Sequence, residues 1–316
     1  MKRLFDFIWP ALGILAVIFS GWLLFREIRS LSVEDILTSL SAIPPHRWAL
    51  AALSTLVAYG ALAWYDRIAL LHLGKPLGWG FISAVSFTTY ALSHNIGASV
   101  FSGAAVRYRA YSTKGLSAAE IGVLVALCSF TFLLGTLMLG GIVLVGEPEL
   151  ISNLFDIPVW PSRVIGVIVL LFVLLYVCGS LLHFKPLTIG SFHIYYPQPA
   201  IVFRQLLAAP LELIGAAGII YFALPAAEGV DFFSVLGAFL GSFSAALLSN
   251  APGGLGVLEI VFLKAMPNLS VADVIAALLV FRLFYLLIPL IFACFAVLIF
   301  ERKRLIDVLK KKTHRP

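Results

Sequence analysis

Long apolar runs separated by short polar connections dominate this sequence. The runs occupy positions 7–25, 48–72, 118–145, 164–183, 202–224 and 273–300. A helix crosses the ~30 Å hydrocarbon core with about 20 apolar residues and closes its backbone hydrogen bonds internally, so each run predicts a crossing. Two further apolar stretches, 79–106 and 232–266, are interrupted. The first is broken by Ser93-His94-Asn95-Ile96-Gly97 and the second by Ser249-Asn250-Ala251-Pro252-Gly253-Gly254-Leu255-Gly256. Glycine, proline and asparagine at that density break helices.

The distribution of basic residues indicates how the broken stretches insert, because Lys and Arg accumulate in cytoplasmic loops. If each broken stretch enters and leaves on one side and the N-terminus is cytoplasmic, sixteen basic residues fall inside. Five fall outside: Arg26, Arg29, Arg47, Arg163 and Lys264. Full crossing by both would move Arg107, Arg109, Lys114, Lys185 and Arg204 outward and Glu147, Glu149 and Asp156 inward. The expected fold is therefore all-α: a polytopic helical membrane protein with six full crossings and two oppositely inserted re-entrant helical hairpins. Inverted pairs of half-helices meeting near the midplane are a transporter pattern. A short Leu-Ser-x-x-x-Gly pattern recurs at Leu92–Gly97 and Leu248–Gly253.

Composition agrees. Of 316 residues, 61% are hydrophobic and 12% charged, a balance that a water-soluble surface does not carry. Residues 1–300 read as one transmembrane domain and 301–316 as a basic cytoplasmic tail lying on anionic lipid. Met1-Lys2-Arg3 opens like a signal peptide, but with no small-residue cleavage pattern after it, so the first run reads as an uncleaved helix. The net charge of +6 sits between apolar segments and in the tail, which excludes nucleic acid as the partner and favours the cytoplasmic leaflet. Cys128, Cys178 and Cys294 lie in apolar runs without metal-ligand spacing. Neither a metal nor a cofactor is expected.

A few charges fall at membrane depth. Glu259 follows the second break, and Arg282 lies inside the last run. An unpaired charge there costs at least ~2.5–3.5 kcal/mol, so the two are expected to pair or to line a wet cavity. The glycines Gly253, Gly254 and Gly256 permit close approach, and the half-helix after them offers N–H groups to an anion. Tight packing alone would also explain them. Val106-Arg107-Tyr108-Arg109-Ala110-Tyr111 sets two arginines among tyrosines, suited to a phosphate at headgroup level or to plain interfacial anchoring. Asp66, in Tyr65-Asp66-Arg67, is a natural partner for one of those arginines. Glu212 reads as a carboxylate paired with a neighbouring helix. Asn95 and His94 mark the first tip, with a structural role for the histidine. His183 and His193 flank Lys185, and 187–194 alternates weakly, as a short surface strand does. No nucleophile–base set and no nucleotide-binding motif stands out.

The strings YDRIALLHLGKPL at 65–77, SHNIGASVFSGAAVRYRAYSTKGLS at 93–117, NAPGGLGVLEIVFL at 250–263 and AALLVFRLFYLLIPL at 276–290 carry a resemblance. Together they resemble the membrane region of lysylphosphatidylglycerol synthases of the multiple peptide resistance factor type, and still more the stand-alone YbhN-type inner-membrane proteins. In the synthases this region is thought to flip aminoacylated phospholipid, while a separate soluble domain transfers the amino acid. The resemblance thus implies a flippase-like or lipid-binding module of the bacterial cytoplasmic membrane, not an enzyme, with both termini cytoplasmic. It draws attention to Asp66, Arg107, Arg109, Gly253, Gly254, Gly256, Glu259 and Arg282, to which the tip residue Asn95 is added as substrate-binding. The expected partners are a phospholipid with an anionic or aminoacylated headgroup, the bilayer, and a second copy of the chain or an envelope enzyme. Two rival readings are a non-transporting scaffold or regulator of lipid and envelope enzymes, and, less favoured, a small intramembrane lipid enzyme.

Overall fold

The computed structural model describes residues 33–96, 99–149, 158–182, 187–189, 192–194, 197–225, 229–249 and 251–298. The expected first crossing at 7–25, both termini and the basic tail lie outside the described residues, as do Gly97, Asn250, Asp156, His183 and Lys185. Helices α1 (Val33–Ser41), α2 (Pro45–His72), α3 (Trp79–Ile96), α4 (Ser99–Tyr111), α5 (Ala118–Gly146) and α6 (Val159–Leu181) come first. A two-stranded antiparallel hairpin follows, β1 (Leu187–Ile189) with β2 (Phe192–Ile194), pairing Leu187 with Ile194 where the sequence alternates. Then come α7 (Pro199–Ala223), α8 (Phe232–Ser249), a 3₁₀ turn (Pro252–Gly254) and α9 (Val257–Ala265). Finally α10 begins as Val271–Phe281, passes into a π-helical segment, Arg282–Leu287, and continues to Leu298.

Among the described residues, six helices are long and apolar enough to cross a membrane. Five of them, α2, α5, α6, α7 and α10, match the runs read from the sequence. The sixth is α8, the first arm of the second broken stretch, whose 18 residues give about 27 Å at 1.5 Å per residue. Length alone therefore suits α8 to a crossing as well as to a hairpin arm.

The helices assemble around α2 and α7. Their backbones cross closely because α7 presents Gly215 and Gly218: a Cβ on Gly215 would stand 2.9 Å from the Ala58 nitrogen and the Ser54 carbonyl oxygen. Small residues at such crossings maximise van der Waals contact where lipid supplies no hydrophobic drive between helices. α5 approaches α7 in the same way at Gly135 and Ala209, and α6 at Gly141 and Gly166. By contrast α6 turns Ile168, Leu171, Phe172 and Leu175 outward, a lipid-facing surface at the periphery.

Both broken stretches fold back on themselves. α3 packs on α4 and α8 packs on α9, and the 3₁₀ turn of the second break touches α3 of the first. At one end of the molecule Ser117 and Glu120 cap α5 reciprocally, Ser117 N–H donating to Glu120 Oε2 at 2.7 Å. Lys75 pairs with the same carboxylate at 3.1 Å. Arg67 and Lys114 lie over Trp79 and Phe81 at this end, so it gathers the basic cluster that the sequence assigns to the cytoplasm.

Candidate functional site

The second break is built from three left-handed glycines. Gly253, Gly254 and Gly256 have φ of 60°, 65° and 78°, a region that costs residues with a Cβ about 1 kcal/mol or more. At Gly254 a Cβ would also lie 2.8 Å from that of Ala246. The turn starts α9, and Glu259 folds back to accept from the Gly256 N–H at 2.9 Å. Arg282 ties both sides of the turn to α10: its Nε donates to Glu259 Oε1 at 2.7 Å and its Nη1 to the Gly253 carbonyl at 2.9 Å. Its Nη2 is 2.5 Å from the same Glu259 Oε1, so two guanidinium nitrogens face one carboxylate oxygen. The pairing expected from the sequence is therefore present.

The first break is secured differently. Asp66 of α2 is fully buried and receives Arg107 Nη2 at 2.7 Å and Nε at 3.2 Å, the Tyr111 hydroxyl at 2.7 Å and the Cys128 thiol at 3.4 Å. Three side chains, from α4 and α5, thus gather around one carboxylate of α2. The Arg107 guanidinium also lies 4.8 Å from the Tyr90 ring centroid. Asp66 does select an arginine, as its neighbourhood suggests. That choice turns the Arg107 fork inward in this state, so the phosphate contact expected of it is not on offer here. Arg109 is exposed and lines an apolar groove of ≈ 330 Å³ together with Phe81, Leu92 and Val106 of the first broken stretch and Val297 of α10.

The breaks meet at the π-helical part of α10. Proline has no N–H, so Pro289 gives nothing to the carbonyl four residues before it, that of Tyr285. The Tyr59 hydroxyl fills the vacancy at 2.9 Å. Asn95 donates to the next carbonyl, Leu286, at 3.2 Å and to Ala91 at 2.8 Å. His94 stacks on the Tyr285 ring, centroids 5.2 Å apart and 15° between planes, and its buried Nδ1 has no partner among the described residues. Arg282 and Leu286 lie about 16 and 22 Å along α10, a helix of 28 residues and about 42 Å. Both breaks accordingly sit beside the middle of a helix long enough to span.

Glu212 is satisfied by neighbouring helices, and the groups that meet it are two phenols, Tyr285 at 2.6 Å and Tyr65 at 3.5 Å. The tyrosines Tyr59 and Tyr285 escaped sequence reasoning, since aromatics in apolar runs read as core, and Tyr65 and Tyr111 read only as neighbours of Asp66 and the arginines. Pro289 inside the last crossing was the available signal, because π-helical segments and inner prolines free carbonyls that side chains then occupy.

Six apolar spans around an interior layer of paired acids, arginines and tyrosines define a polytopic helical membrane protein. No family model matches the sequence. The chain is 30% identical over 249 residues to inner membrane protein YbhN of Escherichia coli, covering 78% of this chain and 77% of that one. It is 32% identical over 283 residues to an uncharacterized protein of Synechocystis, covering 89% and 87%. It also aligns at 25% identity over 282 residues with phosphatidylglycerol lysyltransferase of Staphylococcus aureus, matching 87% of this chain and about a third, 32%, of the lysyltransferase. The chain belongs to the family of inner membrane protein YbhN.

Proposed function

We propose that this chain binds a phospholipid headgroup in its interior polar layer and carries it between leaflets, the acyl chains remaining in lipid. The observation that carries the reading is the meeting of two broken stretches at the mid-helix segment Arg282–Leu287, where Arg282 holds Glu259 and the Gly253 turn and Asn95 reaches the Leu286 carbonyl. Irregular backbone at membrane depth is tolerated where it is buried in protein or lines a cavity, and a charge there needs a use. The lysyltransferase relative, named for phosphatidylglycerol, supplies the substrate class. In this reading the two broken stretches are re-entrant hairpins inserted from opposite sides, with the basic end and both termini cytoplasmic. Arg109 and its apolar groove receive the lipid; Asn95, Gly253, Gly254, Gly256, Glu259 and Arg282 surround the headgroup midway. Asp66 holds Arg107 until the hairpin moves. In this reading the chain performs no aminoacyl transfer, and the energy comes from an ion gradient, from downhill lipid flow or from a partner.

Reconstitution into liposomes containing fluorescent or charged phospholipids tests it. Headgroups cross faster than in empty vesicles, and Arg282→Ala removes the acceleration; equal rates in both vesicles would end the transport reading. One observation favours the rival scaffold: both buried ion pairs are formed internally. A stoichiometric co-purifying partner together with inactive proteoliposomes would favour that role.

A further inference from the structure

Three acids are buried among the described residues: Asp66, Glu212 and Glu259. Asp66 has Arg107 and Glu259 has Arg282, so two of the three are neutralised by a guanidinium. Glu212 is equally deep, 1% exposed, and thirteen residues into α7, which puts it about 20 Å from that helix's start. Its hydrogen-bond partners among the described residues are the neutral hydroxyls of Tyr285 and Tyr65.

Among the described residues, the groups around it leave no cation for it. From α2, Tyr65 reaches its carboxyl, Tyr59 goes to the Tyr285 carbonyl, and Asp66 turns away to Arg107. From α10, Tyr285 binds it while Arg282, one turn earlier, is held by Glu259 and Gly253. From α3, His94 stacks on the far ring of Tyr285 and Tyr90 lies under Arg107. From α5 and α6, Thr131 and Tyr176 bond Gln205, two turns away on α7, and Cys128 faces Asp66. α8 carries no titratable residue. Moving a bare carboxylate to such a place costs several kcal/mol, and two phenol hydrogen bonds do not offset that. A proton does.

We propose that Glu212 is a proton-binding site, occupied by a proton in this state and emptied when the Tyr285 segment shifts and admits water. The consequence is coupling. A proton favours the closed arrangement, in which Tyr65 and Tyr285 hold the carboxyl; its loss to the aqueous phase favours the opened one, so a proton gradient biases the headgroup step. This coupling rests on the transport reading, whereas the proton site itself does not.

Two measurements separate them. Infrared difference spectra of the full chain in nanodiscs, recorded across a pH jump, show the C=O stretch of a protonated carboxylic acid at neutral pH. The band is lost in Glu212→Gln and displaced in Tyr285→Phe, which keeps the carboxyl but removes its best donor. Absence of the band, or its persistence unchanged in Glu212→Gln, overturns the proposal. In proteoliposomes an imposed pH gradient changes the wild-type lipid rate, and in Glu212→Gln the ratio of rates with and without the gradient falls to unity. Wild-type transport indifferent to the gradient overturns the coupling while leaving transport intact. The carboxylic band without any lipid movement in wild type ends the transport reading, and the coupling with it, while confirming the proton site.

Discussion

The Tyr59 hydroxyl donates to the Tyr285 carbonyl at 2.9 Å, joining α2 to the π-helical segment of α10 at the carbonyl that Pro289 cannot serve. Tyr285 in turn donates its own hydroxyl to Glu212 and stacks its ring on His94. One residue thereby connects a proline-made irregularity, the first broken stretch and the unpaired acid of α7.

Replacing Pro289 by alanine returns an N–H to Tyr285 and competes with Tyr59. An inner proline costs a helix on the order of 3 kcal/mol, so Pro289→Ala raises the thermal unfolding temperature in detergent. It also slows lipid movement in proteoliposomes, because a regular α10 no longer offers its carbonyls to Tyr59 and Asn95. A faster variant, or a less stable one, would contradict this account of the segment.

Asp66 and Arg107 form a buried pair whose separation is expensive in either direction. Asp66→Ala and Arg107→Ala each lower stability by about 3–5 kcal/mol, since each strands a buried group. Replacing both by apolar residues of similar volume, Asp66→Leu with Arg107→Met, recovers most of the loss. The yield of folded protein by size-exclusion chromatography measures it, and additive damage in the double variant would argue against the pairing.

Gly254→Ala tests the second break without touching a charge. The positive φ and the 2.8 Å approach to Ala246 together destabilise by roughly 1–3 kcal/mol. Gly241→Ala on α8, where a Cβ meets nothing within 4 Å, leaves thermal unfolding unchanged and serves as the control.

The proposed orientation rests on the gathering of Lys75, Lys114 and Arg67 at one end. In a chain lacking Cys128, Cys178 and Cys294, a cysteine placed at Thr113 is labelled by impermeant reagent only from the cytoplasmic side, and one placed at Asp231 only from the opposite side. The reverse pattern would invert the whole assignment.

Much of this arrangement was legible beforehand. Five described spans follow from apolar run length, because lipid forces backbone polar groups into helices wherever such runs occur. The Glu259–Arg282 pair and the attachment of Asp66 to an arginine follow from the cost of isolated charge in the membrane. What the sequence concealed was side-chain direction. Nothing in an apolar run says that Tyr65 and Tyr285 face one carboxyl from different helices, so the partners of Glu212 could not be named. Gly215 likewise looked ordinary until Ala58 and Ser54 were seen against it.

In the proposed function a lipid headgroup reaches the layer where the two breaks meet. A phospholipid bearing a photoreactive group on its headgroup, illuminated in membranes containing the full chain, reports this directly through mass spectrometry of the crosslinked peptides. The account predicts adducts at residues 93–95 and 253–259, lost in Arg282→Ala. Adducts confined to headgroup-level residues such as Tyr108 and Arg109, with none at the breaks, would contradict it.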